Sequence, residues 1–473
     1  MPHKPLLWLL FSLPLMAPDL ASSQVAPPAP FELDQALELP DWLTLRGEAR
    51  ARYETLDGQF RAGGKGGDQV LAFRTLVLAE ANLAGLELPQ VTAGLEIQDS
   101  RLELDDAGTP LSTSNVNALD VLQAYVRFDL DGTLGQKDVS LTLGRQTLDI
   151  GSRRVLERVE MANVIFSYTG AYWRSVSTRG SEWHLVYVSP VGRLPSTFPE
   201  LASNQVIADK EEWGRVFWGA HYRHPKALEA LVPDTWIEGF IYRLKERDTR
   251  DFPTPNRNYV QPGFRVFRAP KEGRSDFEVE ASWRTGSRRA TNATTDLRDL
   301  DVNAWTLHAH WAWNFKSDWN WRAAVDYDFA SGDKSPTDGR FDRYERLFGG
   351  RRTDLGNTGI HGPLTPANIN APGARVEFGP SKKLDFRISY KAAYLARATD
   401  LWSDGRLQDP MGRSGRFIGH SWDSRTRYWV VPGTVRGEIG ASALFPGRFA
   451  KTAPNAPKQG RTLFGYAAVV VTF

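Results

Sequence analysis

From Leu43 to Thr55 the chain alternates in character at every step. Leu43, Leu45, Gly47, Ala49, Ala51, Tyr53 and Thr55 are small or apolar, and Thr44, Arg46, Glu48, Arg50, Arg52 and Glu54 are polar. A strand sends successive side chains to opposite faces. A helix would smear the charges around its circumference, so the period of two predicts a strand with one apolar and one charged face. The same pattern recurs to the last residue. Leu71, Phe73, Val77 and Ala79 oppose Arg74 and Glu80; Leu122, Ala124, Val126 and Phe128 oppose Gln123, Tyr125, Arg127 and Asp129. Trp305, Leu307, Ala309, Trp311 and Trp313 share one face, and Phe386, Ile388, Tyr390 and Tyr394 oppose Asp385, Arg387, Lys391 and Arg397. The predicted strands fall at 43–55, 70–83, 91–99, 122–130, 139–146, 171–178, 182–189, 212–223 and 235–245. They continue at 260–268, 277–285, 302–315, 319–329, 374–379, 384–397, 417–430, 435–445 and 462–473, about 18 in all.

The connections alternate in length. Long ones fall near 57–69, 99–118, 146–170, 190–211, 246–259, 286–301, 330–373, 398–416 and 446–461, with short turns such as 316–318 and 431–434 between them. A soluble sandwich has no reason to sort its loops by length. Outer-membrane barrels place short turns at one end and long loops at the other. The expected fold is therefore all-β, a single transmembrane antiparallel β-barrel with a polar, Arg-rich lumen. The closing run Ala-Ala-Val-Val-Val-Thr-Phe resembles the C-terminal signature of outer-membrane proteins.

The N-terminus changes the picture further. Lys4 precedes an apolar run, Leu6 to Met16, too short to span a bilayer as a helix, and Ala21-Ser22-Ser23 offers a cleavage site. We expect a signal peptide over 1–23, a Pro/Ala linker over 24–40 and the barrel over 41–473. The destination is the outer membrane of a Gram-negative cell, after signal-peptide cleavage. Beyond residue 23 no run approaches the length of a transmembrane helix.

Composition refines the lumen. Arg numbers 44 against 14 Lys, and the net charge is only +2. Arg grips carboxylates with a rigid planar fork and keeps its charge when buried. The absence of cysteine excludes disulfides, thiolate metal sites and thiol nucleophiles.

Four short motifs bear on a family. Leu143-Gly144-Arg145-Gln146 precedes Gly151-Ser152 and Arg154, and Tyr327-Asp328-Phe329-Ala330-Ser331-Gly332-Asp333 precedes Phe341-Asp342 and Leu347-Phe348. Pro380 with Lys382-Lys383-Leu384 opens a strand closing on Asp400, and Phe417-Ile418-Gly419 precedes Phe445-Pro446-Gly447-Arg448-Phe449. In this order the chain resembles the alginate-export family of outer-membrane porins. The resemblance implies an 18-stranded barrel and diffusion of an anionic polyuronate through an Arg-lined lumen.

The expected lumen-binding residues are Arg46, Arg50, Arg52, Arg74, Arg127, Arg145, Arg284, Arg322, Arg387, Lys391, Arg397 and Arg436. Arg145 has the parity of Leu141 and Leu143, the lipid face, so it needs a bulge or a place above the bilayer to face inward. Inward acids, among them Glu48, Glu54, Glu80, Asp326 and Asp328, nearly balance the bases. Each Arg therefore has two readings, a rung in a charge ladder that stiffens the wall or a step in an anion path.

No enzymatic constellation stands out, and we expect no cofactor and no metal. His308 and His310 share a face as a metal pair would, but without nearby strand carboxylates. Asp326 and Asp328 share a face as a glycosidase pair would, and Asp333, Asp338 and Asp342 lack a regular calcium-loop spacing. The leading expectation is a passive outer-membrane channel for anionic poly- or oligosaccharide. The alternatives are a general or small-solute porin of the same fold, a secreted soluble β-rich carbohydrate-active enzyme, and a barrel serving as an adhesion surface. Expected partners are outer-membrane lipid and the anionic saccharide, with periplasmic export partners left open; the barrel is expected as a monomer that binds no nucleic acid.

Overall fold

The structure, a computed structural model, describes residues 31–473 apart from 87–89, 107, 251, 351–352 and 459. The expected signal peptide and the first part of the linker lie outside the described residues. No described helix is long and apolar enough to cross a membrane; the crossing is made by strands.

The strands are β1 (Leu43–Asp57), β2 (Gly67–Asn82), β3 (Val91–Glu103), β4 (Asn117–Asp129), β5 (Asp138–Gln146), β6 (Tyr168–Val176), β7 (Glu182–Pro190), β8 (Arg215–His224), β9 (Thr235–Glu246) and β10 (Asn258–Arg268). They continue as β11 (Ser275–Arg289), β12 (Asp299–Asn314), β13 (Arg322–Ala330), β14 (Arg340–Phe341), β15 (Ile369–Ser381), β16 (Leu384–Tyr394), β17 (Phe417–Val431), β18 (Val435–Pro446) and β19 (Thr462–Thr472). Eighteen of them form the wall, each antiparallel to its neighbours in sequence. The exception, β14, is a two-residue segment laid parallel to β12, so β13 pairs directly with β15. The wall closes where β1 meets β19, from Glu48 opposite Thr472 to Asp57 opposite Leu463. Closure leaves no edge strand with unpaired backbone groups, which lipid could not satisfy.

At the seam the Gly47 and Phe473 backbones exchange hydrogen bonds. A Cβ at Gly47 would overlap the Leu76 carbonyl and the Phe473 ring, so only glycine fits.

The expected faces hold along most of the wall. On β1, Arg50, Arg52 and Glu54 are buried while Tyr53 between them is 38% exposed. Three expectations are corrected. The short strand expected at 374–379 runs from Ile369 to Ser381; Pro372 and Gly373 weaken the strand signal there. β16 stops at Tyr394, because the Leu395 and Ala396 amides bond to Arg416 and Asn368, and this leaves Arg397 in a loop. Leu122, expected toward lipid, sits in a bulge: Glu96 pairs with Gln123 and Ile97 with Val121. Leu122 thereby turns inward and packs with Leu76 and Ile165.

Toward the long-loop end the alternation changes sense. Leu56, Leu102, Leu244 and Leu300 point inward and are buried, while Asp57, Glu103, Lys245, Asp299 and Asp301 point out and are exposed. These strand tips are polar outside and apolar inside, as in a water-soluble β-structure.

Candidate functional site in the barrel lumen

The apolar strand tips are covered by two long loops folded into the barrel. The first runs from Thr147 to Ser167 along the inner wall of β1 to β3. Arg50 and Arg74 stand directly opposite each other on β1 and β2. Two adjacent guanidiniums repel, and here both turn to the same acceptors. Arg50 donates to the carbonyls of Glu160 (3.0 Å) and Ala162 (2.8 Å), and Arg74 to the same pair at 2.8 and 2.7 Å. Arg52 donates to the Met161 carbonyl at 2.8 Å. Ser100 donates to the Asn163 carbonyl, and Arg158 pairs with Glu96 at 2.6 Å.

The second loop, 342–368, runs from one side of the barrel to the other. Near its start Arg284 donates to the Glu345 carbonyl at 2.7 Å, while Arg288 and Tyr259 hold the Glu345 carboxylate. Burial raises that carboxyl, but Arg257, Arg288 and Arg284 outweigh it and keep it below its usual range. Across the lumen, Asn357 bonds to Asp423 and Ser442, and the Ile360 amide donates to Glu54 at 2.7 Å.

The two loops meet in mid-lumen. Leu156 and Phe348 form a parallel bridge. Arg154 reaches Asp354 and Glu280, each at 3.0 Å, and also Glu278. Burial disfavours the Arg154 cation, but Glu278, Asp354 and Glu280 more than offset this and hold it charged. Leu148, Ile150, Leu156, Tyr344, Phe348, Leu355, Ile360 and Leu364 from the loops are buried against Leu56, Phe217 and Tyr242 of the wall. The barrel thus holds an apolar core of its own at the long-loop end.

The other expected residues are placed as follows. Arg46 pairs with Glu80 at 2.6 Å and Arg127 with Asp129 at 3.0 Å. Arg284 is 1% exposed and also bonds to Gln261. Arg322 lies between Asp276 (2.6 Å) and Glu377 (2.5 Å), and Lys391 bridges Asp326 and Asp328. Arg145 keeps the parity of Leu143, away from the lumen, and reaches Glu211 of the 191–214 loop at 2.7 Å; its expected inward place is corrected. Arg397 is likewise off the wall, its backbone tied to Asn368.

Arg387 differs from the rest. It stands opposite Arg425 in the β16–β17 register and next to Glu377 on β15. It is buried, yet its Nη1 has no hydrogen-bond partner among the described residues. Arg375 on the neighbouring strand reaches Asp354 and Glu377 at 3.7 Å each, Arg425 makes a 3.4 Å contact to Asp385, and Arg436 lies over the Trp429 ring. On this side of the wall the guanidiniums are crowded, and these contacts of Arg375 and Arg425 to carboxylates are long.

Arg158, Arg375, Arg425, Arg265 (on Glu238 and Glu278) and Arg427 (on Asp385) were not singled out from sequence, and Arg154 only as part of a family motif. Arg425 and Arg427 alternate with Thr426 and Tyr428 in a strand whose period was visible. Arg154 and Arg158 lie in a loop, where no period exists to read. The histidines also differ from expectation, because neighbouring strands supply carboxylates: His308 contacts Asp328 (2.7 Å) and His310 contacts Asp276 (3.1 Å).

A closed wall of 18 strands, apolar toward lipid and lined with charge inside, defines the porin-like outer-membrane channels. The barrel shares its fold with solved structures of that class. Against OccK9 (OpdG) of Pseudomonas aeruginosa the TM-score is 0.58 with 11% identity, covering 91% of this chain and 98% of that one. Against OccK2 (OpdF) of the same organism, solved in complex with glucuronate, it is 0.54 with 11% identity, covering 91% and 98%. A BenF-like porin of Pseudomonas fluorescens Pf-5 gives 0.56 with 12% identity, covering 91% and 99%. A comparison with curated proteins finds no match. Residues 41–464 match the alginate export family, and the chain belongs to it. It is an outer-membrane channel that sits in lipid and passes solutes; the expectation of a secreted soluble enzyme is set aside.

Proposed function

We propose that this channel passes anionic sugars or short anionic oligosaccharides, uronates among them, along the cationic wall formed by Arg375, Arg387, Arg425 and Arg436. The observation that carries the reading is the buried, unpartnered Nη1 of Arg387 beside a second guanidinium. A carboxylate in the lumen beside this stretch is drawn by two adjacent guanidiniums, one of which keeps hydrogen-bonding capacity that the described residues leave unused. Most other luminal cations are already bonded to carboxylates or loop carbonyls, so the attraction is confined to a short stretch. That suits conduction, because a permeant ion must bind only weakly enough to leave. The family's description as alginate export and the glucuronate complex of a similar barrel support a uronate-type solute. A general small-solute porin is the second reading, favoured by the near balance of luminal charge.

Planar-bilayer recordings test this. The expected result is an anion-selective reversal potential and concentration-dependent block by uronate oligomers. Replacing Arg387 and Arg425 by Gln should weaken block by about tenfold, as the loss of one charged hydrogen bond implies. Cation selectivity with no uronate block would overturn the proposal in favour of a general porin.

A further inference from the structure

The outer wall carries a charged feature that the lumen does not account for. On β9 the outward side chains run Ile237, Gly239, Ile241, Arg243 and Lys245. Arg243 and Lys245 are both exposed, at the height where Leu244 turns inward and the wall changes sense. The Arg243 guanidinium lies 5.4 Å from the centre of the Trp218 ring on β8 and donates to Asn258 on β10 at 3.4 Å. In register, Lys245 stands between Val216 and Asn258, and Arg243 between Trp218 and Val260. None of these neighbours carries charge. The other outward strand cations are provided for. Arg101 pairs with Asp99 at 2.9 Å, Arg145 pairs with Glu211, and Arg268, at the short-turn rim, donates to the Ser275 carbonyl at 2.7 Å. Among the described residues, Arg243 and Lys245 are thus the outward strand cations of the long-loop rim with no carboxylate partner.

Alternate strand residues lie about 6.6 Å apart, close enough for both side chains to converge on one anion. The two cations repel each other, and near hydrocarbon their hydration is incomplete. A phosphate at the lipid headgroup level answers both problems, and an aromatic ring beside it is the ordinary anchor of that zone. We propose that Arg243 and Lys245, with Asn258 and the Trp218 ring, form a binding site on the outside of the barrel for the phosphate of an outer-leaflet glycolipid. The opposing possibility is that both side chains merely extend into water.

The test uses the full-length protein in nanodiscs containing either bis-phosphorylated lipid A or the same lipid with its phosphates removed. Retained lipid is counted by native mass spectrometry. The phosphorylated form should be retained about tenfold more, in line with the attraction of two cations for an anionic headgroup. The Arg243→Gln/Lys245→Gln double variant should lose that preference, Lys245→Gln alone should lose part of it, and Arg268→Gln at the opposite rim should keep it. Heat-modifiable migration confirms folding of each variant. Equal retention of both lipids by the unaltered protein, an undiminished preference in the double variant, or an equal loss in Arg268→Gln would overturn the site.

Discussion

Arg322 and Arg387 are both buried luminal arginines, yet their surroundings give them different roles. Arg322 is enclosed by Asp276 and Glu377. Removing it as Arg322→Ala takes the strongest partner from two carboxylates, leaving Asp276 with His310 and Asn314 and Glu377 with the 3.7 Å contact of Arg375, at a cost near the lower end of the roughly 3–5 kcal/mol for breaking a buried pair. The expected outcome is a lower temperature for the loss of heat-modifiable migration, with anion selectivity of the surviving channels unchanged. Arg387 has no such enclosure, so its replacement should alter selectivity before stability. Asp209 in the 191–214 loop offers a pH-dependent counterpart outside the membrane. Burial, ahead of the neighbouring Asp120, pushes its carboxyl up from 3.8 to about 7. Between those values the folded loop holds a proton that the unfolded loop has released. The stability of the ordered loop therefore falls as pH rises through that window, and the loss is complete above about 7. Amide exchange in 191–214, corrected for its intrinsic rate, should quicken from pH 5 to pH 8. Asp209→Asn keeps the Oδ1 that accepts from Leu194 and Asn117, and should flatten this dependence.

At the scale of elements, the two inward loops are joined by the Glu157–Phe348 backbone bond, by their shared apolar core and by Arg154, which ties the first loop to the second and to β11. Arg154→Gln should loosen both loops while sparing the wall. The measurement is limited proteolysis within 147–167 and 342–368 alongside single-channel recording. Faster cleavage and noisier, larger conductance are expected, with heat-modifiable migration intact; unchanged cleavage would show that the apolar core suffices without the ion pairs. Strands and loops also differ in how far the chain announces them. The wall was legible because lipid and lumen impose opposite solvents on adjacent residues, which writes a period of two into the sequence. Its errors fall where that rule is locally broken: the bulge at Leu122, the Pro372-Gly373 step, and the early end of β16 that displaces Arg397. The loops carry no such code. That Met161 and Ala162 would meet Arg50, Arg52 and Arg74 depends on contacts about a hundred residues apart, and no local pattern records them. For the same reason the luminal arginines were legible as a set, while the distinction between enclosed Arg322 and unpartnered Arg387 was not.

For the whole molecule, the change of sense along the wall has a consequence beyond the lumen: it marks a waterline. Leu56 and Asp57, Leu244 and Lys245, and Leu300 with Asp299 and Asp301 all invert the pattern at the same rim. A barrel whose apolar band simply ran out could sink a little in a thicker membrane at small cost. This one would drag acids and a lysine into hydrocarbon, where a lysine costs about 2–4 kcal/mol at the midplane, an acid less, and either much less near the surface. The protein should therefore be tuned to a narrow range of bilayer thickness. Folding yield into phosphatidylcholine vesicles of increasing acyl length should pass through a maximum and fall steeply on the thick side. Replacing Asp57, Lys245, Asp299 and Asp301 by Ser should move that fall toward longer chains. A sheet built for two solvents at once works as a depth gauge, holding its loops at a fixed height above the lipid.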